Sequence, residues 1–259
     1  MANFNLKNYN EVCVLKPVKS RAWLGISFVI CFLVFTFLFS LILSPLLGLN
    51  YLGVLSNGTE TYATSFYAVV INTNSTDSDY ATEQAQAYRV RGGAGVLWEN
   101  ETYYVILSAY PSEDDAETVK EQITTTSLTP EIMEISINKT DTASFTTEEK
   151  ELYNKSFEFL LSTLNSLYDI SYKIDTGLMT ELNANLQIKN LLLDTSYYYQ
   201  QILANESDNL EDIKTILAST NSLLEYVADE EVLTSTALPY SGDIRRVLVR
   251  LLFVIYELE

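Results

Sequence analysis

Residues 101–123 read ETYYVILSAYPSEDDAETVKEQI. The first ten residues are mostly aromatic or β-branched and contain neither Gly nor Pro, so they make a strand. Pro111 ends it. Ser112 is placed to cap a helix, and Glu113, Asp114 and Asp115 fall in its first turn, where the positive end of the helix dipole favours carboxylates. The helix runs to about Ile123.

The same unit occurs once before. Tyr67-Ala-Val-Val-Ile-Asn-Thr returns as Tyr103-Tyr-Val-Ile-Leu-Ser-Ala, 36 residues later. FYAVVINT, from Phe66, is a strand. Asp77–Arg91, with Ala81, Ala85, Ala87 and Tyr88, is a helix, and Gly92, Gly93 and Gly95 break it. GVLWEN is a further strand, joined through Glu99–Glu101 to the strand quoted first. Pro130 precedes a last strand, EIMEISI. The order is β-α-β-β-α-β, a two-layer α+β sandwich.

These two repeats resemble the SPOR (sporulation-related repeat) domain of bacterial envelope proteins. That family carries two copies of a Tyr-x-Val-Gln-Val-Gly-(Ser/Ala)-Phe strand, each followed by a helix with an early alanine. Ala81 and Ala116 stand in the alanine position here, twelve residues after Val69 and eleven after Val105. The resemblance covers residues 66–139, about 75 of 259. It implies a ferredoxin-like sheet, a tether to the inner or only membrane, and binding of peptidoglycan glycan strands on the sheet face that the two helices leave open.

Strand alternation carries that implication to positions. Val69, Ile71, Val105 and Leu107 face the helices. Ala68, Val70, Asn72, Tyr104, Ile106 and Ser108 face outward, with Tyr104 placed to stack on a sugar ring and Asn72 and Ser108 to bond hydroxyls. Val70 and Ile106 replace the Gln common in the family, and Asn72 and Ser108 replace its Gly. The resulting face is apolar, which suits a protein contact as well as a glycan, or burial under the C-terminal helices.

Residues 146–259 read as an all-α extension that the family usually lacks. Thr146-Thr-Glu-Glu149 forms a capping box. Tyr153, Phe157, Leu160, Leu164, Leu167 and Ile174 then share one face at helical spacing. Further helices span about Leu178–Ala204, Asp208–Ala228 and, after Pro239 and Gly242, Asp243–Leu258. Four amphipathic helices of this length predict an antiparallel bundle. Val247–Tyr256 is apolar but too short to span a bilayer, and reads as a buried C-terminal helix.

The amino terminus carries a different signal. No charge occurs between Ala22 and Thr59, and Trp23–Leu43 contains fifteen Leu, Ile, Val or Phe residues. At about -0.4 kcal/mol each, they favour insertion by roughly 6 kcal/mol. Lys7, Lys16, Lys19 and Arg21 precede this stretch, and no basic residue follows before Arg89, so the positive-inside rule puts Met1 in the cytoplasm. The expected organisation is a cytoplasmic tail (1–22), a transmembrane anchor (23–45), a polar spacer (46–65), the SPOR-like domain (66–139) and the bundle (146–259), with the bulk extracytoplasmic at the cell membrane.

Composition narrows the chemistry. The chain holds 16 basic and 34 acidic residues, a net charge of -18, which disfavours nucleic acid. It has no histidine, so Ser-His and Cys-His nucleophile pairs and imidazole metal sites are excluded. Its two cysteines, Cys13 and Cys31, lie in and before the anchor. Ser136-Ile-Asn-Lys139 and Ser207-Asp208-Asn209 match motifs of penicillin-binding proteins, but Ser136 falls in a strand and no Lys-Thr-Gly is present. Asn72, Asn74, Thr76, Ser78 and Glu83 loosely copy calcium-loop spacing without its first Asp or central Gly. The expectation is therefore a non-enzymatic protein with no metal or cofactor, binding peptidoglycan glycan strands and contacting envelope proteins through the bundle. The alternative is a membrane-tethered interaction scaffold without glycan binding.

Overall fold

The computed structural model describes residues 64–123, 129–235 and 237–257. The expected tail, anchor and nearly all of the spacer lie outside these residues. Among the described residues no helix is long and apolar enough to cross a membrane.

Six elements build the first half: β1 (Ser65–Asn72), α1 (Ser78–Val90), β2 (Val96–Asn100), β3 (Thr102–Tyr110), α2 (Glu113–Gln122) and β4 (Pro130–Ser136). The strands form one antiparallel sheet in the order β2-β3-β1-β4. Neither β-α-β unit pairs its own strands. β3 separates β1 from β2, and β1 separates β3 from β4, the split arrangement expected of a βαββαβ chain. Asp77 caps α1 by accepting from the backbone N–H of Asp79 and Tyr80. Ser112 holds the cap position of α2, but its side chain makes no cap hydrogen bond.

The inner-face assignment holds. Val69, Ile71, Val105 and Leu107 pack with Ala85 and Tyr88 of α1 and Ala116 of α2 in one buried cluster. The two repeat alanines, Ala81 and Ala116, are fully buried, because a larger side chain there would hold the helix off the sheet.

The second half is an all-α assembly: α3 (Thr147–Asp175), α4 (Glu181–Leu203), a 3₁₀ turn (Asp208–Leu210), α5 (Glu211–Ala228), a short α6 (Glu230–Thr234) and α7 (Tyr240–Glu257). The capping box of α3 forms as expected: Thr146 N–H donates to Glu149 Oε2 at 2.6 Å, and Glu149 N–H to Thr146 Oγ1 at 3.3 Å. α4 begins at Glu181 rather than Leu178, since Gly177 turns the chain at φ +71° and Thr180 supplies the cap. α6 is an extra turn, capped by Asp229. α7 starts directly after Pro239, whose carbonyl accepts from the N–H of Gly242 and Asp243.

Four long helices run up-down-up-down. Asn185 near the start of α4 meets Ala228 at the end of α5, Tyr226 of α5 meets Asp243 at the start of α7, and Arg245 of α7 pairs with Asp175 at the end of α3. One buried polar link fixes the α4–α5–α7 contact. Asn185 Nδ2 donates to Ala228 O at 3.0 Å and to Tyr240 Oη at 3.1 Å, and Tyr240 in turn donates to Val227 O at 2.8 Å. Burial pushes the Tyr240 hydroxyl up to about 12, so it remains a donor at any working pH.

α7 decides the architecture. Val247, Leu248, Val249, Leu251, Leu252 and Ile255 are all buried, so up to Ile255 the polar residues of the helix are confined to its first turns and to the Arg246–Arg250 flank. An apolar surface this broad, interrupted mainly by Arg246 and Arg250 on one flank, must be covered by more than one neighbour. The bundle covers one side of α7, and β2 and β3 cover the other. The sheet and the bundle therefore share one continuous core, in which Ala68, Val70, Ile106 and Ala109 join Leu160 and Leu164 of α3 and Leu248 and Leu252 of α7. The described residues form one compact unit rather than separable sheet and bundle domains.

Candidate functional site

The sheet face expected to be open is closed. Ala68, Val70 and Ile106 have relative exposures of 0, 2 and 0 % and sit in the core shared with the C-terminal helices. Alternation puts these three on the correct face, opposite α1 and α2, but the C-terminal helices cover that face, which corrects the expectation that they front a ligand. The physical reason is the apolar character of both surfaces: a Val-Ile-Ala sheet face and the apolar faces of the C-terminal helices bury each other.

Ser108 is corrected differently. β1 and β3 pair Val69 with Ser108 but Val70 with Ile106, so β3 carries one extra residue at Leu107. Two consecutive residues, Leu107 and Ser108, then point toward the α1–α2 side, and Ala109 returns to the α7 side. Strict alternation cannot foresee this shift. Asn72 and Tyr104 remain at the rim and satisfy each other. Asn72 Nδ2 donates to Tyr104 Oη at 3.3 Å, while Asn72 Oδ1 accepts from Thr102 Oγ1 at 3.0 Å and from the Asn74 N–H at 2.8 Å. Tyr104 lies beside Trp98 with ring centroids 5.3 Å apart, and Trp98 lies 6.2 Å from Phe253 of α7. Of the six expected residues, only this rim pair is still within reach of solvent.

The structure offers a different concave surface. A cleft of about 600 Å³ runs between β2, α5 and α7, lined by Val96, Leu97 and Trp98, by Ser219 and Leu223, and by Arg250, Phe253 and Val254. A smaller cleft of about 380 Å³ adjoins it, shares Ser222, Leu223 and Arg250, and adds Arg89 and Arg246. Arg89 pairs with Asp243 at 3.0 Å. Arg246 Nη1 donates to Gly95 O at 3.2 Å, which ties it to the chain entering β2. Burial pulls Arg246 down to about 10, with repulsion from Arg250 and Arg89 adding to it, so it is still a cation at neutral pH. Arg250 is exposed and unpaired among the described residues.

The sequence held a signal for this site that motif reading passed over. Every arginine after Arg21 lies at the end of α1 or on α7: Arg89, Arg91, Arg245, Arg246 and Arg250. Lysines are spread over the other elements. Arg246 and Arg250 are four apart and so share one helix face.

A third cleft, of about 390 Å³, opens between α1, α2 and α3 and is lined by Tyr88, Tyr110, Tyr168 and Tyr172 with Ser108, Arg91 and Gln122. Tyr110 and Tyr168 meet edge to face at 5.9 Å, and Tyr168 donates to Asp115 at 3.3 Å. Burial first, and then the Asp115 charge, push the Tyr168 hydroxyl up to about 12. Asp115 thus serves a helix start and a tyrosine.

The remaining motifs resolve into local structure. Ser136 contacts Ser65 and Glu134, whereas Lys139 turns to Asn154, Glu158 and the ring of Phe157. Ser207 caps the 3₁₀ turn. Tyr198 of the tyrosine run stacks on Phe159 at 4.6 Å, a packing contact between α3 and α4. Among the described residues no group of His, Cys, Asp and Glu is arranged to hold a metal ion.

Comparison of the chain with protein-family models, with curated proteins and with solved structures found no match.

Proposed function

We propose that this protein is a membrane-tethered, extracytoplasmic interaction scaffold, built on a SPOR-like, ferredoxin-like sheet whose ligand face is occupied by its own C-terminal helices. One observation carries the reading: Val70 and Ile106, which would front a glycan, are packed in one core with the C-terminal helices, with exposures of 2 and 0 %. A sugar ring needs an accessible aromatic or polar surface, and the centre of this face offers neither, its half-buried Asn72 and Tyr104 being bonded to each other at the rim. The apolar anchor at 23–45 and the basic residues before it support the tether and its orientation. The absence of histidine supports binding over catalysis.

The test is retention of residues 61–259 on purified peptidoglycan, with and without amidase removal of the stem peptides. The scaffold reading expects no retention on either sacculus. Retention on the stripped sacculus would restore glycan binding and direct attention to the tyrosine-lined cleft, where Tyr172→Ala should then abolish it. Orientation is read separately, by labelling a cysteine placed at exposed Glu206 with a membrane-impermeant maleimide in intact cells.

A further inference from the structure

The β2 cleft has a property that an ordinary surface groove lacks. Val96, Leu97 and Trp98 are consecutive in a strand, yet all three line it. Side chains alternate along a strand: Val96 and Trp98 pack on the α7 side, and Leu97 on the α1 side. A cleft touching all three is therefore approached along the backbone edge of β2, not over either face. Among the described residues β2 pairs with β3 alone, so that edge presents unpaired N–H and C=O groups. Exposed edges are usually blunted by charge, by Pro or by a covering segment. Val96, Leu97 and Trp98 supply none of these, and the one charge of the strand, Glu99, is engaged by Tyr103 of β3 at the far end from the arginines.

The floor beside the edge is apolar, through Trp98, Leu223, Phe253 and Val254. Its end is basic: Arg89, Arg246 and Arg250 line it, and among the described residues Arg89 alone of the three has an ion-pair partner, Asp243, in a chain of net charge -18. Charge of that sign, concentrated beside an open strand edge, is complementary to one kind of occupant. We infer that the β2 edge receives an extended acidic peptide from a partner protein. The peptide adds as a fifth strand, with alternate apolar side chains entering the cleft and carboxylates meeting Arg250 and Arg246. Main-chain hydrogen bonds supply the affinity, and the arginines set polarity and partner choice.

This rests on the scaffold reading and names the partner chemistry at one of its surfaces. Trp98 is the sole tryptophan in residues 61–259, so its emission reports on the cleft without a label. The probe is a blocked synthetic peptide alternating valine and aspartate, titrated into residues 61–259, with anisotropy of a fluorescein-labelled copy as the second readout. The expected result is a saturable change in both signals, weakened about tenfold or more by Arg250→Glu. Arg250 is exposed, so this variant keeps the fold, as its far-ultraviolet dichroism will show. The fully N-methylated peptide, which cannot pair with a strand, and the valine–lysine peptide should not bind. Absence of binding in both readouts overturns the inference. Equal binding of the N-methylated peptide does so as well, and so does a Trp98 response to phosphatidylglycerol vesicles alone. The scaffold reading itself stands or falls on sacculus retention, so the two failures are distinguishable.

Discussion

Arg89 of α1 and Asp243 of α7 form an ion pair at 3.0 Å across the seam between the sheet and the bundle, with 5 % of the Asp243 side chain exposed. The two residues are 154 positions apart, and their contact depends on α7 being seated against the sheet half. Removing the arginine leaves a buried carboxylate with the Tyr226 hydroxyl at 3.4 Å, the more distant charge of Arg246 and its place in the first turn of α7. Arg89→Ala should therefore cost about 3 kcal/mol. Asp243→Asn should cost less, about 1 kcal/mol, because the Arg89 side chain retains access to water. In urea, Trp98 emission from the sheet and helical dichroism, dominated by the bundle, should report one shared midpoint for both variants and for the parent. Two separated midpoints would show that the halves fold independently and would contradict the shared core.

Gly242 closes the same seam. A Cβ built on it would stand 3.1 Å from both the Cα and the carbonyl oxygen of Gly92, which are backbone atoms without a rotamer to escape into. Gly92 itself has φ +89°, a region that favours glycine, so the contact is fixed from both sides. Gly242→Ala should destabilise by about 1–3 kcal/mol and push α7 away from the turn that follows α1. Thermal unfolding followed at Trp98 measures the cost. An unchanged midpoint would mean that the seam is looser than the distances indicate.

Much of this fold is legible in the sequence because the decisive signals are local. The β-branched runs, the acidic helix starts, the early alanines and the Thr146–Glu149 box each specify an element within a few residues. The inner sheet face follows from alternation alone, and Val69, Ile71, Val105 and Leu107 lie where it puts them. The candidate site is less legible, for two physical reasons. Alternation has no memory across a bulge, and the extra residue at Leu107 moves Ser108 to the opposite face. The cover over Val70 and Ile106 comes from the C-terminal helices, distant in sequence, and only the broad apolar run Val247–Ile255 hints at a second surface to bury. Arg89, Arg246 and Arg250 converge for the same non-local reason.

Ser156 gives a prediction of opposite sign. It lies fully buried in α3, and its hydroxyl has no hydrogen-bond partner among the described residues. An unsatisfied buried hydroxyl keeps its desolvation cost without a compensating bond, and serine is a weaker helix former than alanine. Ser156→Ala should raise stability by about 1 kcal/mol, seen as a higher urea midpoint with an unchanged slope. A loss of stability would reveal a hydrogen bond to the oxygen that the structure does not contain.

Glu149 predicts how the bundle answers to acid. Its carboxylate is bound by the Ser207 hydroxyl, by the backbone and side chain of Thr146, and by Asn209 Nδ2 at 3.4 Å, so it joins the start of α3 to the turn before α5. These donors, Ser207 first, hold it down to about 2 from an ordinary value of 4.5. A carboxyl depressed on folding stabilises the native state above its unfolded value. That contribution falls away as the pH drops from 4.5 and is lost as the pH passes through about 2. The many other acids in this chain impose their own acid slope, so the test is a difference. Stability of the parent minus that of Glu149→Gln should be constant above pH 4.5 and shrink steadily toward pH 2. A difference that stays flat across this window would mean that the ionised carboxylate contributes nothing there beyond the hydrogen bonds an amide can replace.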